Sequence, residues 1–562
     1  MDRRTLLAIV ISFFLLVVYQ WILNVYFPPV ESVGPSAMVT PTGATAGGAT
    51  GGVTEPVPPP PASGPVIDKS VPLLDAAQKT QENQSIQSQT NRSPTVPVIE
   101  FKNKVIQGGI SPIGGELSDL RFLDYKDHLG PEGKPIRFLK RDPEDMFLNI
   151  SGFAAGGGVE VPRSTTRWEP VDEADGGKNN RIRLRWDGAH GLVFEKIFSW
   201  KADSYLLEVT DQVTNSTGSP VDLSHYAHFV RRHLPPAEAS NMAPTDFQGP
   251  MGFLQGKRVQ FEYDELRKGD HFEESIGGWA GFSDKYFLAS MTEKEGRERR
   301  KFYFDFDTRN HRVGMVSPPQ KIAPGETRSF QTRLFIGPKA IQVLEAQNLD
   351  LERSIDYGWF HFLAEPLVQI LLLFDRFVHN FGLSIILLTV VIKLLFFPLA
   401  NKSYRSMSAM KKLQPKVENL RKLYGDDKQR LNQEMMKLYQ DNKVNPLGGC
   451  LPVVVQIPVF FALYKVLFLS VEMRHAPFIL WIRDLSDMDP YYVLPILMGV
   501  SMVVQTKMNP APPDPIQAKI MLFLPIIFTV MFLTFPSGLV LYWLVNNVLS
   551  ILQQGYIMKR TA

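Results

Sequence analysis

The sequence predicts a polytopic α-helical membrane protein with six transmembrane helices and a large periplasmic antiparallel β-sandwich domain. Three observations carry this. Six mostly apolar runs punctuate the 562-residue chain, one near the N-terminus and five after residue 380. Between them lies a long block of alternating, strand-like segments. Charge is divided unevenly: residues 28–365 carry 38 Lys+Arg against 45 Asp+Glu, and the remainder carries 22 against 12. An acidic soluble block with a basic excess around the apolar runs is the pattern of a membrane protein with a big external domain.

Residues 1–27 read as a signal anchor. Arg3 and Arg4 precede an apolar run from Leu6 to Leu23, which is too long for a signal h-region. Tyr26-Phe27-Pro28-Pro29 follows where a small-x-small cleavage site would stand. The basic end belongs in the cytoplasm, so the next domain is exported, as into a bacterial periplasm. Residues 28–97 are dominated by Pro, Gly, Thr, Ser and Gln, bury too little apolar surface to fold, and form a tether. The single cysteine, Cys450, excludes an intramolecular disulfide.

Residues 98–345 form the β-domain. Arg181–Trp186 alternates strictly, Leu192–Phe198 and Tyr205–Thr210 are strand-like, and Asp187-Gly188 and Asn215–Gly218 are turn signals. Residues 346–380 contain Ile355–Leu363, whose aromatics suggest an amphipathic helix in the outer membrane interface. A linker helix packed on the sandwich is the alternative.

Residues 381–562 hold the remaining spans, at 381–399, 447–470, 491–506, 520–535 and 539–552. The loop 401–446 carries 11 Lys+Arg against 5 Asp+Glu and belongs in the cytoplasm; the loop 471–490, with two Arg and four acids, fits the outside. Both termini are then cytoplasmic. The last three runs are short. Sixteen residues span roughly 24 Å against a hydrocarbon core of roughly 30 Å, so these segments are expected to thin the membrane around them.

Lys393 is the most informative residue. It lies in the apolar run 381–399, about six residues from its cytoplasmic end, with no carboxylate in the run to neutralise it. One reading is snorkelling to the headgroups; the other is a wet, cation-lined cavity open to the cytoplasm. Thr389 stands one turn away on the same face. Gln456, Ser501, Gln505, Asn546 and Asn547 supply further polar groups, each of which alone could equally be a helix–helix hydrogen bond. Pro452, Pro458, Pro495 and Pro525 read as kinks or as breaks at a transport site.

The basic loop reads as a helical hairpin. Met407, Met410, Leu413, Val417, Leu420 and Tyr424 recur at helical spacing, Gly425-Asp426-Asp427 makes the turn, and Leu431, Met435 and Leu438 return. Pro415 should kink the first arm. The basic face, with Lys411, Lys412, Arg421, Lys422, Lys428 and Arg430, is either a solvated topology signal or, with Met407 and Met410, an adaptable surface for apolar clients or a ribosome. The membrane part has no HExxH pair, GxSxG elbow or Walker loop, which argues against an ATP-driven pump.

Several long segments, in order, resemble the YidC/Oxa/Alb family of membrane protein insertases in its Gram-negative form. They are Gly425–Arg430, Lys443–Cys450, Ala476–Leu485, Asp489–Gly499 and Phe535–Tyr542. The resemblance is close over about 355–557 and weaker in the anchor, tether and β-domain. It implies a five-helix insertase core with a groove open to cytoplasm and lipid. A basic residue there, Lys393 in this chain, would attract the hydrophilic, often acidic, stretch of a client. The familiar residue is arginine; lysine keeps the charge but replaces a bidentate fork by a point charge. Thr389 and Tyr542 match groove or client-contact positions, and Trp543 stands where a second tyrosine is often found.

The resemblance further implies a mutarotase-like β-domain without enzyme activity, no cofactor and no metal. As partners it implies nascent or newly made membrane proteins, membrane lipid, the Sec translocon, and the ribosome and signal recognition particle receptor. No nucleic-acid sequence recognition is expected. Two other classes make distinct predictions. A secondary transporter with Lys393 in its substrate site would show paired repeats and midplane carboxylates. A membrane-anchored carbohydrate-binding or mutarotase-like protein would need a His/Glu pair in a cleft among the histidines of 190–311.

Overall fold

The computed structural model describes residues 98–561 apart from 157, 172–179, 233–246, 295–297, 425–426, 446–450 and 510–514; at 428, 451–453, 515–518 and 561 only the backbone is described. The expected anchor, the tether, most of the Gly425–Asp427 turn, Cys450 and the side chains of Lys428 and Pro452 lie outside the described residues.

The exported block folds as two antiparallel sheets of ten and nine strands. In the first, β1 (Met146–Ala155) pairs with a later strand over the register Leu223↔Ala155 to Arg231↔Phe147. In the second, β2 (Arg181–Asp187), β3 (Leu192–Trp200) and β4 (Leu206–Asn215) lie side by side. The partner of β1 is β5 (Val221–Arg231). Strict alternation explains the layering: Leu192, Phe194, Phe198 and Trp200 of β3 point inward, as do Ile182 and Leu184 of β2. The inward register of β3 also includes Lys196, which is fully buried.

That charge is matched by the neighbouring strand of the same sheet. Lys196 is the cross-strand partner of Asp211 on β4, and its Nζ reaches Asp211 Oδ1 at 2.9 Å and Ser151 of β1 at 2.6 Å (O) and 2.7 Å (Oγ). The other oxygen of Asp211 meets Nε2 of His225 on β5 at 2.9 Å. Burial pushes the Asp211 carboxyl up, but the Lys196 ammonium and the His225 ring override it and hold it below the usual carboxylate range. The same burial pulls His225 down. A buried pair with its remaining valences filled ties the two sheets together in one register.

Beyond the sandwich, α1 (Ile341–Glu345) leads to α2 (His361–Val378). The apolar face of α2, with Ala364, Leu367, Val368 and Leu371, is buried mainly against α3 (Phe381–Leu395) and a later helix of the bundle, while Trp359, Phe362 and Phe377 stay exposed. Asn380 caps α3, its side chain accepting from the Leu383 N–H at 3.0 Å.

α3 ends four residues before the expected limit of its run. Pro398 cannot donate to the Leu394 carbonyl, so the ladder stops at Phe396 and the chain turns by 67° into α4 (Phe397–Lys412). Pro415 likewise produces a full break: α4 stops at Lys412 and α5 (Gln414–Tyr424) starts two residues later. α6 (Lys428–Asp441) returns along α5 around buried Leu413, Met435 and Tyr439.

The remaining helices are α7 (Leu451–Leu469), α8 (Val493–Met508), α9 (Pro515–Phe532) and α10 (Ser537–Thr561). Among the described residues no single helix is long and apolar enough to cross a membrane alone; α3 and α4 pass together across their bend. The expected short last run is the apolar part of a helix of 25 residues, about 38 Å long. Membrane thinning therefore gains no support from it, because the backbone ladder continues past Leu552 where hydropathy falls. α9 exposes Ile520, Leu522, Phe523, Ile526, Ile527 and Val530 together, a surface unsuited to water.

The segment between α7 and α8 knits helix ends together. Asp489, fully buried, accepts from Trp481 Nε1 (2.9 Å) and from the backbone N–H groups of Tyr491 (3.0 Å) and Leu494 (2.7 Å). Ser537 and Gly538, at the start of α10, donate to the carbonyls of Asp487 and Leu485.

Candidate functional site

Lys393 occupies the last turn of α3, where a cation complements the helix C-terminus. It is half-buried, and its Nζ donates to Ser550 Oγ on α10 at 2.7 Å. Among the described residues no carboxylate lies within ion-pair distance of it. The Ser550 hydroxyl donates in turn to the Asn546 carbonyl at 2.7 Å, leaving its lone pairs for the ammonium. Tyr404 of α4 lies within reach of the same hydroxyl.

α10 is the hub of these contacts. The Asn546 side-chain carbonyl accepts from Gln456 Nε2 of α7. Asn547 Nδ2 donates to Ser501 Oγ of α8 at 3.0 Å, and that hydroxyl donates to the Met498 carbonyl at 2.5 Å. One turn beyond Ser550, Gln554 Nε2 donates to Asn509 Oδ1 at 3.1 Å. Polar groups from α3, α7 and α8 thus converge on one face of one helix.

The other expected residues are placed differently. Thr389 is buried and its hydroxyl closes on the Ile385 carbonyl of its own helix at 2.7 Å. Gln505 is half-buried on α8. Tyr542 is buried, with Phe460 stacked at 6.4 Å. Trp543 is half-buried, edge-on to Phe460 at 4.6 Å and to Phe532 at 5.0 Å. Tyr542 and Trp543 therefore stiffen the wall between α7, α9 and α10.

In the hairpin, Met410 packs on the internal cluster of Leu413 and Met435, so it faces its own partner arm. Met407 and Arg421 are half-buried; Lys411, Lys412, Lys422 and Arg430 are exposed, with Arg430 5.3 Å from the Tyr424 ring centroid. Among the described residues no cluster of three or more His, Cys, Asp or Glu could hold a metal ion.

Sequence reasoning missed Ser550, Tyr404 and Asp489. A serine at i+4 from Asn546, on the same face, is the only signal that could have marked Ser550.

Residues 373–562 match the family described as 60Kd inner membrane protein, and residues 98–370 match the YidC periplasmic domain family. The chain is 52% identical to the membrane protein insertase YidC of Magnetococcus marinus over 566 aligned positions, covering 100% of this chain and 99% of that protein. It is 37% identical to the membrane protein insertase YidC of Geobacter metallireducens, again over 100% and 99%. A crystal structure of an active YidC insertase with its first transmembrane domain resolved is similar at 20% identity and a TM-score of 0.36, covering 82% of this chain and 92% of that one.

Proposed function

The chain belongs to the YidC family of inner-membrane protein insertases, with a periplasmic domain, and from that premise we propose how it inserts its clients. It is an insertase acting on membrane proteins and not an enzyme. The groove is the α3–α10 seam and its polar surroundings, open to cytoplasm and lipid. The observation that carries this is the half-buried Lys393 ammonium, held by a neutral hydroxyl. A neutral partner leaves the positive field in place, so a client's acidic stretch is attracted and a basic one repelled. The converging amides and hydroxyls lower the cost of bringing a polar segment to membrane depth. No nucleotide is needed: transfer of the client's apolar segment into lipid supplies the free energy.

In this reading six spans cross the inner membrane, both termini are cytoplasmic, and the basic hairpin 401–446 meets clients or the ribosome. The protein works alone and with the Sec translocon, chaperones the folding and assembly of its clients, and receives some of them from the signal recognition particle receptor. The membrane potential, positive outside, adds roughly 2.3 kcal/mol per 100 mV for each negative charge exported.

The test is depletion followed by an insertion assay with a small client bearing an acidic exported tail, together with the purified chain in liposomes. Loss on depletion and insertion in liposomes are expected; unimpaired insertion after depletion sinks the reading. Lys393→Arg should insert acidic tails normally and Lys393→Ala poorly. Equal performance of the alanine variant would show that the charge is dispensable.

A further inference from the structure

We propose that Ser550 is a positioning residue that sets client-charge preference by holding the Lys393 ammonium inside the α3–α10 seam; this rests on the groove reading above. Lys393 lies two residues from the end of α3. From there a four-carbon stem could follow the helix outward and deliver its charge to the headgroups and water. It turns inward instead, to a hydroxyl on another helix at 2.7 Å.

The donor accounting makes Ser550 a one-way partner. Its proton is committed to the Asn546 carbonyl of its own helix at 2.7 Å, so towards the seam it presents only lone pairs. It is fully buried, so water does not readily replace it as an acceptor. The acceptor is neutral, whereas an aspartate there would cancel the cation. The Asn546 side-chain carbonyl already accepts from Gln456, so turning to the ammonium would mean sharing it. Ser550 therefore does two things at once: it fixes where the charge stands and leaves it unneutralised. An incoming client carboxylate can then add a charge-assisted bond to the same ammonium, which has three donors.

The test measures a ratio. The full chain is reconstituted in proteoliposomes, and insertion is followed by protease protection for one single-span client made with an acidic, a neutral or a basic tail. Ser550→Ala should lower the acidic-to-neutral insertion ratio about three- to tenfold, the net equivalent of one ordinary hydrogen bond. Ser550→Thr, which keeps the hydroxyl, should restore it. Ser550→Asp should abolish the preference for acidic tails and relieve the exclusion of basic ones. Adding Ser550→Ala to Lys393→Ala should change the ratio no further.

A purely structural serine predicts otherwise. Ser550→Ala would then depress all three tails in proportion and leave the ratio intact, which overturns the proposal, as would an unchanged preference in Ser550→Asp. If Lys393→Ala also leaves the ratio unchanged, the groove reading itself has failed. If Lys393→Ala collapses the ratio and Ser550→Ala does not, only the role of Ser550 is lost.

Discussion

Phe478 fills the space that a side chain at Gly382 would need. A Cβ built on Gly382 would stand 2.0 Å from Phe478 Cδ2, and the Phe478 carbonyl accepts from Asn380 Nδ2 at 3.1 Å just before it. The N-terminal end of α3 is thereby pinned to the segment between α7 and α8. Gly382→Ala should cost about 1–3 kcal/mol, because one of the two elements must move. Thermal unfolding in detergent should show a drop of several degrees. Combining it with Phe478→Ala should cost less than the sum of the two; strict additivity would separate the residues.

Asp489 receives three donors and has no exposed surface. Asp489→Ala strands the Trp481 indole and two backbone N–H groups, a loss on the order of 3 kcal/mol. Trp481 fluorescence should shift as its ring loses that anchor. An unchanged emission spectrum with unchanged stability would refute this account of the segment between α7 and α8.

In the β-domain, Asp211→Asn should be far more damaging than its size suggests, about 3–5 kcal/mol, since it leaves Lys196 buried and charged. Pairing it with Lys196→Met should recover part of the loss in urea unfolding. A double variant worse than Asp211→Asn alone would mean that shape, and not charge balance, governs the site.

Acid should loosen the same domain before its carboxylates protonate. Burial, with the Arg312 and Lys196 charges, pulls His228 down to about 3, while its Nδ1 meets the Tyr303 hydroxyl at 2.7 Å. An unfolded chain binds that proton near pH 6.5. The stabilisation is therefore complete above about pH 6.5 and is lost as pH falls toward about 3. His228→Asn should flatten the melting-temperature profile in that window. A wild-type profile already flat there would contradict the assignment.

The strands of the β-domain were legible because period-two alternation survives in Arg181–Trp186 and Leu192–Phe198, each of which lies in an observed strand. The same alternation placed Lys196 inward, yet a lysine in a strand reads as solvent-facing until its partners Asp211 and Ser151 are known. Asp211 stands on the neighbouring strand and Ser151 on the other sheet, so the pattern within β3 alone could not supply them. Lys393 stood out because charge in an apolar run is costly. Ser550 did not, because serine is nearly neutral on hydropathy scales and its meaning depends on the crossing of two helices. Helix ends were the weakest point: hydropathy stops at Leu552, while hydrogen bonding carries α10 on to Thr561.

The dependence of the seam on α10 has a consequence for the protein's own manufacture. Lys393 and Ser550 are 157 residues apart, so at 5–20 residues per second the ribosome delivers the serine roughly 8–30 s after the lysine. Gln456 and Ser501 wait for their amide partners in the same way. For that interval a cationic helix must be tolerated without the neighbour that later holds it, and the newborn chain is itself a difficult passenger. A machine that eases charged segments into lipid is thus, at its own birth, in need of one.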